Sequence, residues 1–219
     1  TTPSLPQYSV KFVTQATVGS ATSVSSISGD NQKQEILSKL VPFVIRATDV
    51  GGNPVPGVFV SFSLQGNPAG ATGQAVSPST QYTDSSGVAS TILTLGNKSG
   101  TYTVAATSPS LSGSPVMFTA TAMAGVPKSV VALSGSNETG KINGALSSSL
   151  TASVFDQYSN SVAGARVVFT IATYPSGATG QSLGTTSTTT DVEGKASSVL
   201  TLGDKRGTYR VTCAPSGWT

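Results

Sequence analysis

Asp49 and Asp84 return 107 residues later as Asp156 and Asp191. Two carboxylates flanking a cleft at a set separation can hydrolyse a glycoside. Carboxylates clustered with carbonyl oxygens can hold calcium. A recurring pair would make two identical glycosidase sites on turns, which argues against hydrolysis. Turn capping explains the recurrence without an ion, because an aspartate oxygen bonds back to nearby backbone N–H groups. No cofactor is expected; calcium is the one the composition admits, with Asp30 or Glu138 helping between domains. There is no histidine and a single cysteine, Cys213. That removes His-based acid–base catalysis, His/Cys zinc sites and an internal disulfide. Serine and threonine abound, but no base is placed to activate one. Gly70-Ala-Thr-Gly73 has no following lysine and no helix, so it reads as a bulged loop, not a phosphate cradle. No enzyme is expected.

These residues sit in a chain that repeats itself. Asp49–Val104 aligns without a gap onto Asp156–Val211, and nearly half of the positions are identical, including GATGQ at 70–74 and 177–181. A period that long matches a whole small domain and is too large for a solenoid unit. Along each copy the apolar period is two. Phe62 remains Phe169 while Phe59 becomes Arg166, so the face carrying Phe62 points inward and the other is wet. Phe43, Ile45 and Ala47 correspond in the same way to Leu150, Ala152 and Val154, and Tyr102 and Val104 to Tyr209 and Val211. Cys213 replaces Ala106 and reads as a small buried hydrophobe. Turn residues punctuate the strands: Asp49, Asn53, Gly57, Asp84 and Gly87 in the first copy, and Asp156, Asn160, Gly164, Asp191 and Gly194 in the second. Only Gln32–Leu40 (QKQEILSKL) has the pattern of a helical turn or two, and its counterpart GKINGALSSSL argues against a stable helix. The fold class is all-β, two tandem Ig-like β-sandwiches of Greek-key type.

The series D-x-x-x-N-x-V-x-G-x-x-V-x-F, then T-D-x-x-G-x-A, then L-x-L-G-x-x-x-G-T-Y-x-V resembles the bacterial Ig-like domain of the invasin and intimin type. It covers both copies. Filamin repeats and macroglobulin-type domains share parts of it. The resemblance implies an extracellular or cell-surface module, strung into a stalk that projects an adhesive tip. It carries over no catalytic or binding residue, because the shared positions are core and turn.

Charged residues are 10% of the 219, and net charge is +3. The basic residues are scattered apart from Lys205, Arg206 and Arg210. That is too little for a stripe of phosphate contacts, so no nucleic-acid partner is expected. No apolar run approaches the ~20 residues of a membrane span. The chain begins TTPSLPQ, without an initiator Met or a signal peptide, which reads as a mature or excised start.

The ends are out of step with the middle. The first domain is expected over 19–124 and the second over 125–219, joined by a stiff stretch at 123–128. The second copy stops before any counterpart of 115–122, and one residue is gained near Gly140. The missing strand's look-alike lies in 1–18, where Val10, Phe12, Thr14 and Ala16 align with the inward positions of 116–122. Residues 1–18 are therefore the last strand of a preceding domain, or a donor strand that completes the second domain of an identical chain. Pairing within the same chain would need the strand to reach tens of ångströms. Asn97 and Asn137 fit the N-glycosylation pattern. Trp218 and Tyr8 are aromatics at the two ends that suit capping or interface filling. The expected function is a structural spacer or stalk, with neighbouring Ig-like domains as partners. The alternatives are a fibre subunit assembling through residues 8–18, and a module binding a host or matrix protein or a glycan through end loops.

Overall fold

The computed structural model describes residues 10–217; Tyr8 and Trp218 lie outside them. All regular structure is β. The first sandwich holds β1 (Ser23–Ser28), β2 (Gln32–Glu35), β3 (Phe43–Thr48), β4 (Phe59–Gly66), β5 (Ala75–Ser77), β6 (Thr80–Tyr82), β7 (Val88–Thr94), β8 (Gly100–Thr107) and β9 (Val116–Met123). The second holds β10 (Ser129–Ser134), β11 (Leu150–Phe155), β12 (Arg166–Thr173), β13 (Ser182–Leu183), β14 (Ser187–Thr189), β15 (Lys195–Ser198), β16 (Leu200–Thr201) and β17 (Arg210–Pro215).

The first sandwich packs a sheet ordered β1-β3-β7-β5 against one ordered β2-β9-β8-β4-β6. Successive strands cross between sheets, which makes β4 pair with β8 and not with its sequence neighbour β3. The alternation decides which side faces in. Phe43, Ile45, Val60, Phe62, Tyr102, Val104 and Phe118 are all buried between the sheets. The rings of Phe43 and Phe118 stack with centroids 4.8 Å apart and bind the two sheets together. Phe59 faces outward, edge-on to Tyr82 at 5.5 Å. In the second sandwich, β10-β11-β15 faces β14-β12-β17, with a short β13-β16 pair beside them. Its core is Ala152, Val154, Val162, Val167, Phe169 and Ala196.

Gln32–Leu40 contains no helix; β2 lies parallel on β9, with Gln32 opposite Ala120 and Glu35 opposite Met123. The polar QKQE run makes a strand because a distant partner saturates its backbone, and because the Gln32 side chain bridges to Val41 in both directions. One expectation needs correction, the place of the gained residue. Leu40 N donates to Leu93 O, and Leu146 N to Leu200 O, so Leu40 and Leu146 are equivalent. The extra residue therefore falls within Ser147–Ser149, where the chain loops before β11, and not near Gly140.

Residues 10–20 form no strand, and Phe12 is 88% and Val10 73% exposed.

Candidate functional site

The recurring aspartates are clasps for the backbone. Asp49 Oδ1 accepts from the Gly51 and Asn53 N–H groups at 2.9 and 2.8 Å, while its Oδ2 accepts from Gly19 N at 3.0 Å. Asn53 Nδ2 donates to both oxygens. Asp84 and Asp191 cap their own turns in the same way, through Ser86 and Val88, and Glu193 and Lys195. Asp49 thus ties the segment entering the first sandwich to a hairpin 30 residues on. The hydrogen bond from Gly19, followed by those from Asn53, holds its carboxyl below the ordinary carboxylate range.

Asp156 repeats the clasp at the entrance to the second sandwich. Its Oδ2 accepts from Gly125 N at 2.9 Å and from Asn160 Nδ2 at 2.8 Å, and its Oδ1 from the Tyr158 and Asn160 N–H groups. Burial by itself pushes this carboxyl up. The hydrogen bonds from Asn160, Gly125 and Tyr158 outweigh that and hold it low.

Asn160 does more than its counterpart Asn53. Its Oδ1 accepts from Ser99 N at 3.0 Å, and its Nδ2 also donates to Asn97 O at 3.0 Å. Lys98 Nζ donates to Tyr158 O, and the Tyr158 ring packs against the first core. One loop of the first sandwich, Gly96–Gly100, is thus seated on one turn of the second, 156–160. Ile36 reaches the same seam, and a Cβ placed on Gly125 would lie 3.5 Å from its Cδ1.

The GATGQ repeat belongs to this loop. Asn97 Oδ1 accepts from Thr72 N, and Asn97 N donates to Thr72 O. Asp204 and Thr179 make the same pair in the second copy. Gly70 and Gly73 have φ of +71° and +82°, which bends the segment into a buttress for the 96–100 loop. Asn97 is therefore held at the junction, whereas Asn137 sits on an exposed turn of the second sandwich.

The second feature is an open edge. β9 pairs with β8 along its length, Gly100 opposite Ala122 through Ala106 opposite Val116. Among the described residues nothing occupies that place beside β17. Tyr209, Val211 and Cys213 are only half-buried, although Tyr102, Val104 and Ala106 at the same positions are sealed. Phe169, Leu146, Leu150, Leu202, Tyr209 and Val211 line a groove of about 700 Å³ there. Residues 138–141, the counterpart of β2, form no strand, since they lack the β9 equivalent that would supply their hydrogen bonds. Partial burial pushes the Cys213 thiol up, away from the reactive thiolate.

The structure does not bring the calcium candidates together. Asp30 caps Asn31 and Thr119 N, and Glu138 accepts from Ser148 N in the other sandwich. Among the described residues no three acidic or cysteine side chains gather as a metal site would require. Val10, Phe12, Thr14 and Ala16 stand exposed and apart from the turns. Residue types did not reveal that Asn160 bridges two domains while Asn53 does not. The recurrence of D-x-x-x-N marked the turn, and only the neighbour's placement distinguishes the copies.

No protein-family model matches this chain, and no curated protein does. Solved structures do. An Escherichia coli adhesin, FdeC, is 23% identical with a TM-score of 0.48, over 91% of this chain and 62% of that one. The D0-D1 domains of intimin are 18% identical with a TM-score of 0.36, over 90% and 92% of the two chains. The bacterial integrin-binding protein invasin is 22% identical with a TM-score of 0.37, over 90% and 36%. These solved neighbours are Ig-like adhesin domains, the type that the turn motifs resemble. The chain spans 62% of the FdeC chain it matches.

Proposed function

We propose that this chain is a non-catalytic spacer: a stalk segment of a cell-surface adhesin or extracellular filament, built from tandem Ig-like domains. The observation that supports it is the junction. Asn160, Lys98 and Tyr158 lock the 96–100 loop of one sandwich onto the 156–160 turn of the next. A spacer has to transmit position, and a hydrogen-bonded seam costs less entropy to hold than a free linker would. Its partners are then neighbouring Ig-like domains, and the contact with a host or matrix protein or a glycan lies elsewhere. Phe59 and Tyr82, the one aromatic pair open to solvent among the described residues, lie on strands β4 and β6 and not on an end loop.

Two measurements on the purified chain test this. One is saturable binding to host cells, matrix proteins and glycans. The other is the distance distribution between spin labels on the two sandwiches. No saturable binding and a narrow distribution are expected. Saturable binding would make the chain a binding module, and a broad distribution would make it a flexible linker. Hydrolytic turnover of a glycan would overturn the non-catalytic reading.

A further inference from the structure

We propose that the groove beside β17 takes residues 10–17 of a second copy of this chain, so that the polypeptide assembles head to tail into an open filament.

The occupant is specified by the strand that fills the same place in the first sandwich. β9 seals its core with Val116, Phe118, Ala120 and Ala122. Val10, Phe12, Thr14 and Ala16 have the same spacing. Copying the β8–β9 register onto β17 sets Ala16 opposite Gly207, Thr14 opposite Tyr209, Phe12 opposite Val211 and Val10 opposite Cys213. Phe12 then enters the space beside Phe169 and Leu150, much as Phe118 meets Phe43. Lys11, Val13 and Gln15 face out. The far side of the slot is ready as well. Residues 138–141 stand where β2 would, and the incoming strand gives them the parallel partner they lack. Among the described residues the backbone on both sides of this slot is unpaired, and such an edge is a template for strand addition.

The rest of the joint repeats the seam already inside the chain. β9 runs into Gly125, whose N–H is held by Asp156; residues 10–17 run into Gly19, whose N–H is held by Asp49. Once residues 10–17 are seated, the first sandwich of the second copy meets the distal loop Gly203–Gly207 as the second sandwich meets Gly96–Gly100. Asn53 takes the part of Asn160, accepting from Arg206 N and donating to Asp204 O. Lys205 takes the part of Lys98, against Gly51 O. Ile142, 53% exposed, takes the part of Ile36, which is 8% exposed at the existing seam. Lys205 and Arg206, two of the three residues of the chain's basic cluster, then face the Asp49 turn. Gly51 stands where Tyr158 packs, so this joint lacks that ring. The contact uses different surfaces on the two copies, so it propagates and does not close.

Sedimentation velocity of the 219-residue polypeptide across a concentration series tests it. An open-ended ladder of oligomers is expected. A peptide of residues 10–19 should cap the ladder at monomer and protect the amides of 138–141 and 210–213 from exchange. Phe12→Asp, at a position 88% exposed in the monomer, should weaken association by more than about a hundredfold. Asn53→Ala should weaken it by about tenfold. Appending the sequence of residues 116–123 after residue 219 should fill the groove from within and abolish assembly. Monomer at every concentration, a closed dimer, or a ladder indifferent to Phe12→Asp or to the appended strand would each overturn the proposal. The spacer reading is independent, because a monomer with a fixed junction leaves it intact.

Discussion

Asn160→Ala tests the junction, and the repeat supplies its own control in Asn53→Ala. Asn160 gives up three contacts: the bond to Asp156 Oδ2 at 2.8 Å, and the two that cross to Ser99 N and Asn97 O at 3.0 Å each. Asn53 gives up only its bonds to Asp49, at 3.1 and 3.2 Å. A neutral hydrogen bond contributes about 1 kcal/mol net, and one to a carboxylate about 1.5–3 kcal/mol. The intradomain loss is common to both variants. The excess for Asn160→Ala is then about 2 kcal/mol, the worth of the two crossing bonds. Urea unfolding measures both losses. Spin labels at Ser63 and Thr170, in a Cys213→Ala background, report the junction directly. Asn160→Ala should broaden the distance distribution and Asn53→Ala should leave it narrow. Equal stability losses in the two variants, with equally narrow distributions, would refute the account of the seam as an Asn160 staple.

Acid should loosen the clasps. The carboxyls of Asp49 and Asp156 are held low in the folded state, so their contribution is full above the unfolded value and drains as pH falls through the folded one. Stability should be level above about pH 5 and decline below about pH 4, and Asp156→Asn should flatten that decline in calorimetric scans. Phe118→Ala removes half of the stacked pair at the centre of the first core and should cost about 3–5 kcal/mol in urea unfolding, with the second sandwich unaffected. Cys213, half-buried in the groove with its thiol pushed up, should react with a disulfide reagent more slowly than a free thiol, and more slowly still when the peptide of residues 10–19 is present.

Much of this molecule is local and therefore legible in residue order. A strand with one wet face must alternate, and comparing Phe59 with Arg166 and Phe62 with Phe169 identifies the inner side without coordinates. A turn that needs capping selects Asp and Gly at fixed offsets, so the Asp49, Asp84, Asp156 and Asp191 motifs read directly.

What stayed hidden depends on partners distant in sequence. Gln32–Glu35 has no apolar alternation, and it becomes a strand only because β9 completes its ladder; the same stretch at 138–141 stays irregular where that partner is missing. Tyr102 and Tyr209 are one residue type in one motif, yet the first is sealed and the second half-open, because burial is set by the neighbouring strand and not by the strand itself. Asn53 and Asn160 likewise share a turn, and only the second finds another domain's loop within hydrogen-bond reach. Alternation and turn chemistry, read along the chain, determined two tandem sandwiches. Tertiary structure decided which edges are filled and which turns become joints, because an unpaired backbone group or an exposed apolar face is defined by what lies across from it in space.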